Sequence, residues 1–199
     1  EGVRFPRIKL YDKGVLNETV IKIMKANTRT PLENYSDLMA IVASCRTAEK
    51  RVIELVDRFG VGTYSEALGA LLNRTNIMMR QLIQNFLPEE KVSFEDYIDD
   101  DGLGNGPFKM KLTIWREGDH AYFDWTGTDE QSPGPINYYL SESMFKMFIG
   151  SYLIAVFDPA INFNDGFYDV LHIETPEGCL MRPKQPAALG CRTHALSRL

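Results

Sequence analysis

The chain is 199 residues long, 44% hydrophobic and 25% charged, with a net charge of -5, a composition that suits a folded globular protein able to bury a core. The charge is uneven: residues 1–90 carry 13 Lys/Arg against 11 Asp/Glu, a net +2, which leaves -7 for the remainder and no basic stripe of the kind nucleic-acid binding needs. Cys45, Cys179 and Cys191 lie far apart without a Cys-x-x-Cys spacing, which argues against a disulfide framework or a local zinc site and fits a reducing cytoplasm.

The N-terminal Glu1-Gly-Val-Arg-Phe-Pro6 lacks the apolar run of a signal peptide. The longest apolar stretch, Met144 to Phe157, is too short for a bilayer span and contains Lys146. A soluble protein without a membrane partner is expected. No methionine initiates the chain, and Arg192 to Leu199 reads as a helix without a stop signal, so a segment of a longer polypeptide, incomplete at both ends, is expected.

In chain order, Gly2 to Tyr11 has apolar positions interrupted by Pro6, the pattern of an edge strand or extended segment. Asn17 is placed to cap a short helix that Asn27-Thr-Arg-Thr-Pro31 ends. From about Asn34 to Phe59, apolar residues recur every three or four positions, predicting a long amphipathic helix closed by Gly60. Thr63-Tyr-Ser-Glu66 has the capping-box pattern and predicts a second helix that stops before Pro88, packed antiparallel to the first. Beyond residue 91 the period becomes two. Phe108 to Ile114 and His120 to Thr126, joined by Glu117-Gly-Asp119, predict an antiparallel hairpin preceded by an acidic strand. Ser141 begins a helix with a wide apolar face, and Val170 to Ile173 predicts a short strand. The expected fold class is α+β: a long helical hairpin, then a mixed, largely antiparallel β region with a buried helix. Residues 1–90 form the mainly helical segment and 91–199 the α+β segment.

Strong catalytic signatures are missing: the chain has no P-loop, GxGxxG, GxSxG or HExxH. The run Glu95 to Gly102 is acidic, but Leu103 and Met110 fall where a calcium loop needs oxygen ligands, so a solvated strand end is expected. His120, His172 and His194 are too far apart for a local metal pattern, with His120 expected to be exposed at a turn. Cys191 and His194 could form a thiolate–base pair only if the fold brings them together. The stretch Asp124 to Asn137 leaves a strand and passes two glycines and two prolines before a helix. Asp124 and Thr126 alternate on one strand face, where they could orient a substrate or accept a proton, or equally stabilise a turn. Asn137, Asn162 and Asn164 offer uncharged amides suited to a carbonyl, carboxylate or urea-like group, and are also ordinary turn formers.

These motifs, in order, are similar to those of the hydantoinase B/5-oxoprolinase family. The resemblance rests on Ile8-Lys-Leu-Tyr11, Asn27-Thr-Arg-Thr-Pro31, Ser36-Asp-Leu38, Phe94 to Gly102, Asp124-Trp-Thr-Gly-Thr-Asp129 with Gly134-Pro-Ile-Asn137, Asn162-Phe-Asn-Asp-Gly166, Pro176-Glu-Gly178 and Pro186-Ala-Ala188. Two departures, at Tyr35 to Ile41 and at Leu189-Gly-Cys-Arg-Thr-His194, resemble more the carboxylase branch, typified by acetone carboxylase alpha subunits.

The resemblance implies part of a multisubunit ATP-dependent enzyme that carboxylates a ketone with bicarbonate. The same family also contains ATP-dependent hydrolases of cyclic amides, and a purely structural, subunit-docking role is a further alternative. It implies ATP bound by a hydantoinase A-like beta subunit, a small gamma subunit, and manganese whose ligands lie outside this segment. The expected site residues are Asp124, Thr126 and Asn137 for chemistry, and Asn162, Asn164 and Asp37 for substrate binding.

Overall fold

The computed structural model describes residues 3, 5–139 and 141–191. The predicted helix from Arg192 to Leu199, and His194 with it, lies outside the described residues. Contacts divide the chain into two units, Glu1–Glu66 and Ala67–Leu199.

The first unit begins with a small hairpin, β1 (Tyr11–Asp12) and β2 (Val15–Leu16). Its two-residue turn places Lys13 and Gly14 at φ 48° and 82°, the left-handed pair that matches the twist of the flanking strands. The hairpin docks through Tyr11, whose ring carries the Arg46 guanidinium 4.9 Å from its centroid. Asn17 caps α1 (Glu18–Ala26), as its position predicts, by accepting from Val20 N.

Helix α2 (Pro31–Phe59) begins at a proline in its first turn, three residues before the periodicity alone would start it. α2 packs against α1, with Lys25 over the Tyr35 ring at 3.9 Å. None of its residues is buried. Gly60, at φ 81°, is the sole break before α3 (Val61–Phe86). The capping box expected at Thr63 is therefore not formed: the glycine lets the chain re-enter helix at Val61, and Thr63 already lies inside the first turn.

In the second unit, the remainder of α3 leads to a four-stranded sheet in the order β3 (Val92–Ile98), β4 (Phe108–Glu117), β5 (His120–Asp124), β6 (Leu171–Glu174). β3, β4 and β5 are antiparallel, and β6 lies parallel to β5. A parallel neighbour cannot be reached by a tight turn. The crossover passes through α4 (Glu142–Phe157) and a 3-10 helix, Asp165–Val170.

α4 buries Phe145, Gly150, Leu153 and Ile154, whereas Met144, Phe148, Tyr152 and Val156 remain exposed, so it is buried along one side only. The core between helices and sheet contains Met79, Ile83, Phe123, Trp125, Phe145, Phe167, Leu171 and Leu180. Phe167 is fully buried against Gly150, where an added Cβ would overlap its ring.

Gly150→Ala should therefore destabilise the protein by about 1–3 kcal/mol through overpacking. At Gly69, on α3 with open space around it, the same change should be neutral or stabilising by up to about 1 kcal/mol. Urea denaturation of both variants checks this, and unchanged stability in Gly150→Ala would contradict the packing.

Candidate functional site

The stretch from Asp124 to Asn137 is organised by a carboxylate 23 residues upstream of its first residue. Asp101 is 1% exposed. Its Oδ1 accepts from Leu103 N at 2.9 Å and Asn105 N at 3.1 Å, and its Oδ2 from Asn105 Nδ2 at 2.9 Å, Ser132 Oγ at 2.7 Å and Gly134 N at 3.2 Å. Burial pushes this carboxyl up, but the hydrogen bonds from Asn105, Ser132 and the Leu103 and Asn105 amides outweigh it and hold it well below the usual carboxylate range. Gly134 lies so close that an added Cβ would sit 2.5 Å from the Asp101 carbonyl oxygen.

Asn137 closes the other side of the same loop and is fully buried. Its Oδ1 accepts from Ser132 N at 2.8 Å, and its Nδ2 donates to Ser132 O, Gly134 O and Ala188 O at 2.8, 3.1 and 3.0 Å. Both amide hydrogens and one lone pair of the oxygen are thus engaged within the protein. The loop is also stitched to its surroundings by Asp129, whose Oδ2 accepts from Lys109 N at 2.7 Å, and by Thr128 Oγ1, which accepts from Lys111 N at 3.1 Å.

Asp124 ends β5 half-buried and turns its Oδ1 back to accept from Thr126 N at 2.8 Å, an Asx turn. Thr126 lies beyond the strand end and is exposed, so the shared strand face expected for the two side chains is replaced by a local turn. Asn162 and Asn164 meet α3 at Thr75: the Thr75 hydroxyl donates to Asn162 O, and Asn164 Nδ2 donates to that hydroxyl, both at 2.9 Å. Asn164 Oδ1 also caps the 3-10 helix through Gly166 N. Asp37 is exposed on α2 in the first unit. The structure thus places the candidates apart: Asn137 in a loop clasp, Asp124 in an Asx turn, Asn164 in a latch on α3, and the Thr126, Asn162 and Asp37 side chains exposed.

Two shallow clefts flank this scaffold in the second unit. One, of about 370 Å³, is lined by Ile98, Asp99, Asp100, Asp101, Gly102, Pro135, Ile136 and Cys191, so the clasp forms part of its wall. The other, of about 280 Å³, is lined by Trp115, Tyr122, Phe123, Glu142, His172, Ile173 and Glu174. Two histidines too far apart in sequence for a local metal pattern meet beside the second cleft, with His120 Nδ1 2.8 Å from His172 Nε2. His172 pairs with Tyr122 across β5 and β6, and His120 lies two residues before Tyr122 on β5, a diagonal meeting that no local spacing announces.

Asp101 and Ser132 are the residues that the sequence reading missed. A carboxylate inside an acidic run resembles a solvated strand end, and only Gly102, Gly104 and Gly106, all at positive φ, hint that the backbone folds around it. Among the described residues, no group of three or more His, Cys, Asp or Glu side chains could hold a metal ion. The described residues therefore do not fit a manganese site, and no chemical step is assigned through one.

Comparison with known proteins matches residues 1–199 to the family described as Hydantoinase B/oxoprolinase. A Pseudomonas sp. (strain NS671) protein provisionally assigned as the hydantoinase B component of a D-/L-hydantoinase is 31% identical, the match covering 94% of this chain and 33% of that protein. The beta subunit of the Pseudomonas jessenii caprolactamase is 28% identical across 100% of this chain and 34% of its own length. The crystal structure of the ATP-dependent caprolactamase from that organism superposes with a TM-score of 0.80, covering 94% of this chain and 32% of that one, and nucleotide-free acetone carboxylase, at 14% identity, with 0.81, covering 93% and 26%. The chain thus spans about a third of the length of the curated relatives it matches.

The depressed Asp101 carboxyl sets a sign for pH dependence. Its unfolded value is about 3.9, so its contribution to stability is complete above that value and is lost as pH falls through the folded one. Unfolding free energy should fall as pH drops below about 4. In Asp101→Asn the neutral-pH stability should be lower and the acid fall shallower, measured by denaturant unfolding over a pH series. Asn137→Ala should cost roughly 3 kcal/mol, because several buried backbone groups lose their partner; near-native stability would contradict the clasp.

Proposed function

The chain belongs to the hydantoinase B/oxoprolinase family, and from that membership we propose that it is part of a subunit of an ATP-dependent enzyme that hydrolyses a cyclic amide. One observation carries the choice: the relation to caprolactamase extends over the whole chain at 28% identity and persists in the fold. Acetone carboxylase supports the same architecture, but at 14% identity it speaks for the fold alone.

In this reading, ATP is bound by a hydantoinase A-like partner subunit, and the segment supplies rigid support for a site shared with the rest of the assembly. An activated intermediate must be kept from water, which requires loops that do not yield. The clasp at Asp101 and Asn137 and the latch at Thr75 are suited to that role. The absence of a membrane-spanning helix among the described residues and the unpaired cysteines are compatible with a cytoplasmic enzyme.

A second reading, carboxylation of a ketone such as acetone with bicarbonate, is favoured by the motif departures at Tyr35 to Ile41 and Leu189 to His194. It adds a small gamma subunit and manganese bound outside this segment. A docking role for the helical segment is favoured by α2, which buries none of its residues.

The full-length protein, purified with its genomic neighbours, separates these readings when ATP consumption is followed with caprolactam, hydantoin or 5-oxoproline against acetone plus bicarbonate. Turnover that depends on a cyclic amide is expected. ATP consumption that responds only to acetone with bicarbonate would overturn the first reading in favour of the second, and response to neither class would reject both.

A further inference from the structure

Arg80 on α3 faces His120 Nε2 across 3.1 Å, and His120 Nδ1 faces His172 Nε2 across 2.8 Å. A guanidinium has only donors and stays charged, so His120 Nε2 is the bare, accepting nitrogen. The hydrogen of a neutral His120 is then on Nδ1 and points at His172. His172 Nε2 accepts it and is bare in turn, which leaves its hydrogen on Nδ1. The tautomers follow from the direction that Arg80 imposes on the network. A further proton on His172 Nε2 would face the His120 N–H, and one on His120 Nε2 would face the Arg80 donor.

We propose that Arg80, His120 and His172 form an acid-released latch, a one-directional hydrogen-bond chain that holds only while both imidazoles are neutral and ties the β5–β6 edge to α3.

The surroundings of His172 favour its neutral form. Arg80 pairs with Asp119 at 2.9 Å, and that carboxylate lies 3.7 Å from His120. From α4, Lys146 and its partner Glu142 face His172, and Glu117 faces it from the end of β4. Burial, then the neighbouring His120 and Lys146, push the His172 imidazole down against the opposing pull of Glu142 and Glu117. Tyr122 stacks on His172, with ring centroids 4.6 Å apart.

The chain also has a mechanical continuation. Arg80 Nε donates to Asn76 Oδ1 at 2.7 Å, and Asn76 Nδ2 donates to Gly166 O at 2.8 Å. Release at the imidazoles therefore loosens one end of a chain that reaches the first turn of the 3-10 helix. For a base whose folded value is depressed, the stabilisation is present above the unfolded value, 6.5, and is lost as pH falls through the folded one.

The test uses the full-length protein and two mass-spectrometric readouts across pH 5 to 8: exchange of imidazole C2 hydrogens, which titrates each histidine, and backbone amide exchange corrected for its intrinsic pH dependence. His172 should titrate below 6.5, and amides of His120–Asp124 and Leu171–Glu174 should lose protection over the same interval. His120→Gln with His172→Gln can rebuild the chain, each Gln accepting on one side and the first donating onward, with nothing to titrate. That double variant should keep its protection in acid. A His172 midpoint at or above 6.5, or the same acid loss of protection in the double variant, would overturn the latch. Should the double variant not fold, the wild-type midpoint alone decides.

Discussion

A carboxylate out of water without a cation beside it is among the more costly groups a protein can bury, and Asp101 is such a group. Among the described residues it has no ion-pair partner, and its charge is held by hydrogen-bond donors from its own turn and from the loop at Ser132 and Gly134. Those donors are held in place because each one lost leaves a buried charge less well matched. The consequence is spatial: the 99–106 turn and the 132–137 loop are fixed against each other, Gly134 has no room for a side chain, and Asn137 is spent in holding the loop carbonyls.

The same logic recurs at the other end of the crossover. Thr75, fully buried on α3, receives the loop at Asn162 and Asn164, and the 3-10 helix that follows places Phe167 under Gly150. Both segments that bracket α4 are thereby anchored by polar groups in the second unit. Under the proposed role in an ATP-dependent enzyme this anchoring would be useful, since reactive intermediates are protected best by loops whose own hydrogen bonds are complete. The Asn137 and Asn164 amides hold loops in place, whereas the Asn162 side chain is exposed and only its backbone carbonyl meets Thr75.

Much of the fold was legible because it depends on local pattern. The alternation at Phe108 to Ile114 gave β4, the Asn17 cap gave the start of α1, and the regular spacing from Asn34 onward gave α2. Misreadings arose where a pattern has two physical meanings. Thr63 and Glu66 match a capping box, yet a single glycine at φ 81° lets the helix start already at Val61. The wide apolar face of α4 suggested a buried helix, although Tyr152 and Val156 are exposed. The site was harder to read, because Asp101 meets Ser132, and His120 meets His172, across long stretches of chain. Such meetings are decided by sheet register and loop closure, and the residue types alone carry no trace of them.

The clasp, on this account, supports a site without taking part in its chemistry. Turnover per folded molecule of the assembled enzyme carrying Ser132→Ala tests that most directly, because Ser132 Oγ reaches Asp101 and otherwise stays within its own loop. A lowered unfolding midpoint is predicted, with turnover per folded complex close to that of the unmodified enzyme. Turnover reduced by an order of magnitude or more, at an unchanged midpoint, would contradict it and make the loop part of the reacting centre.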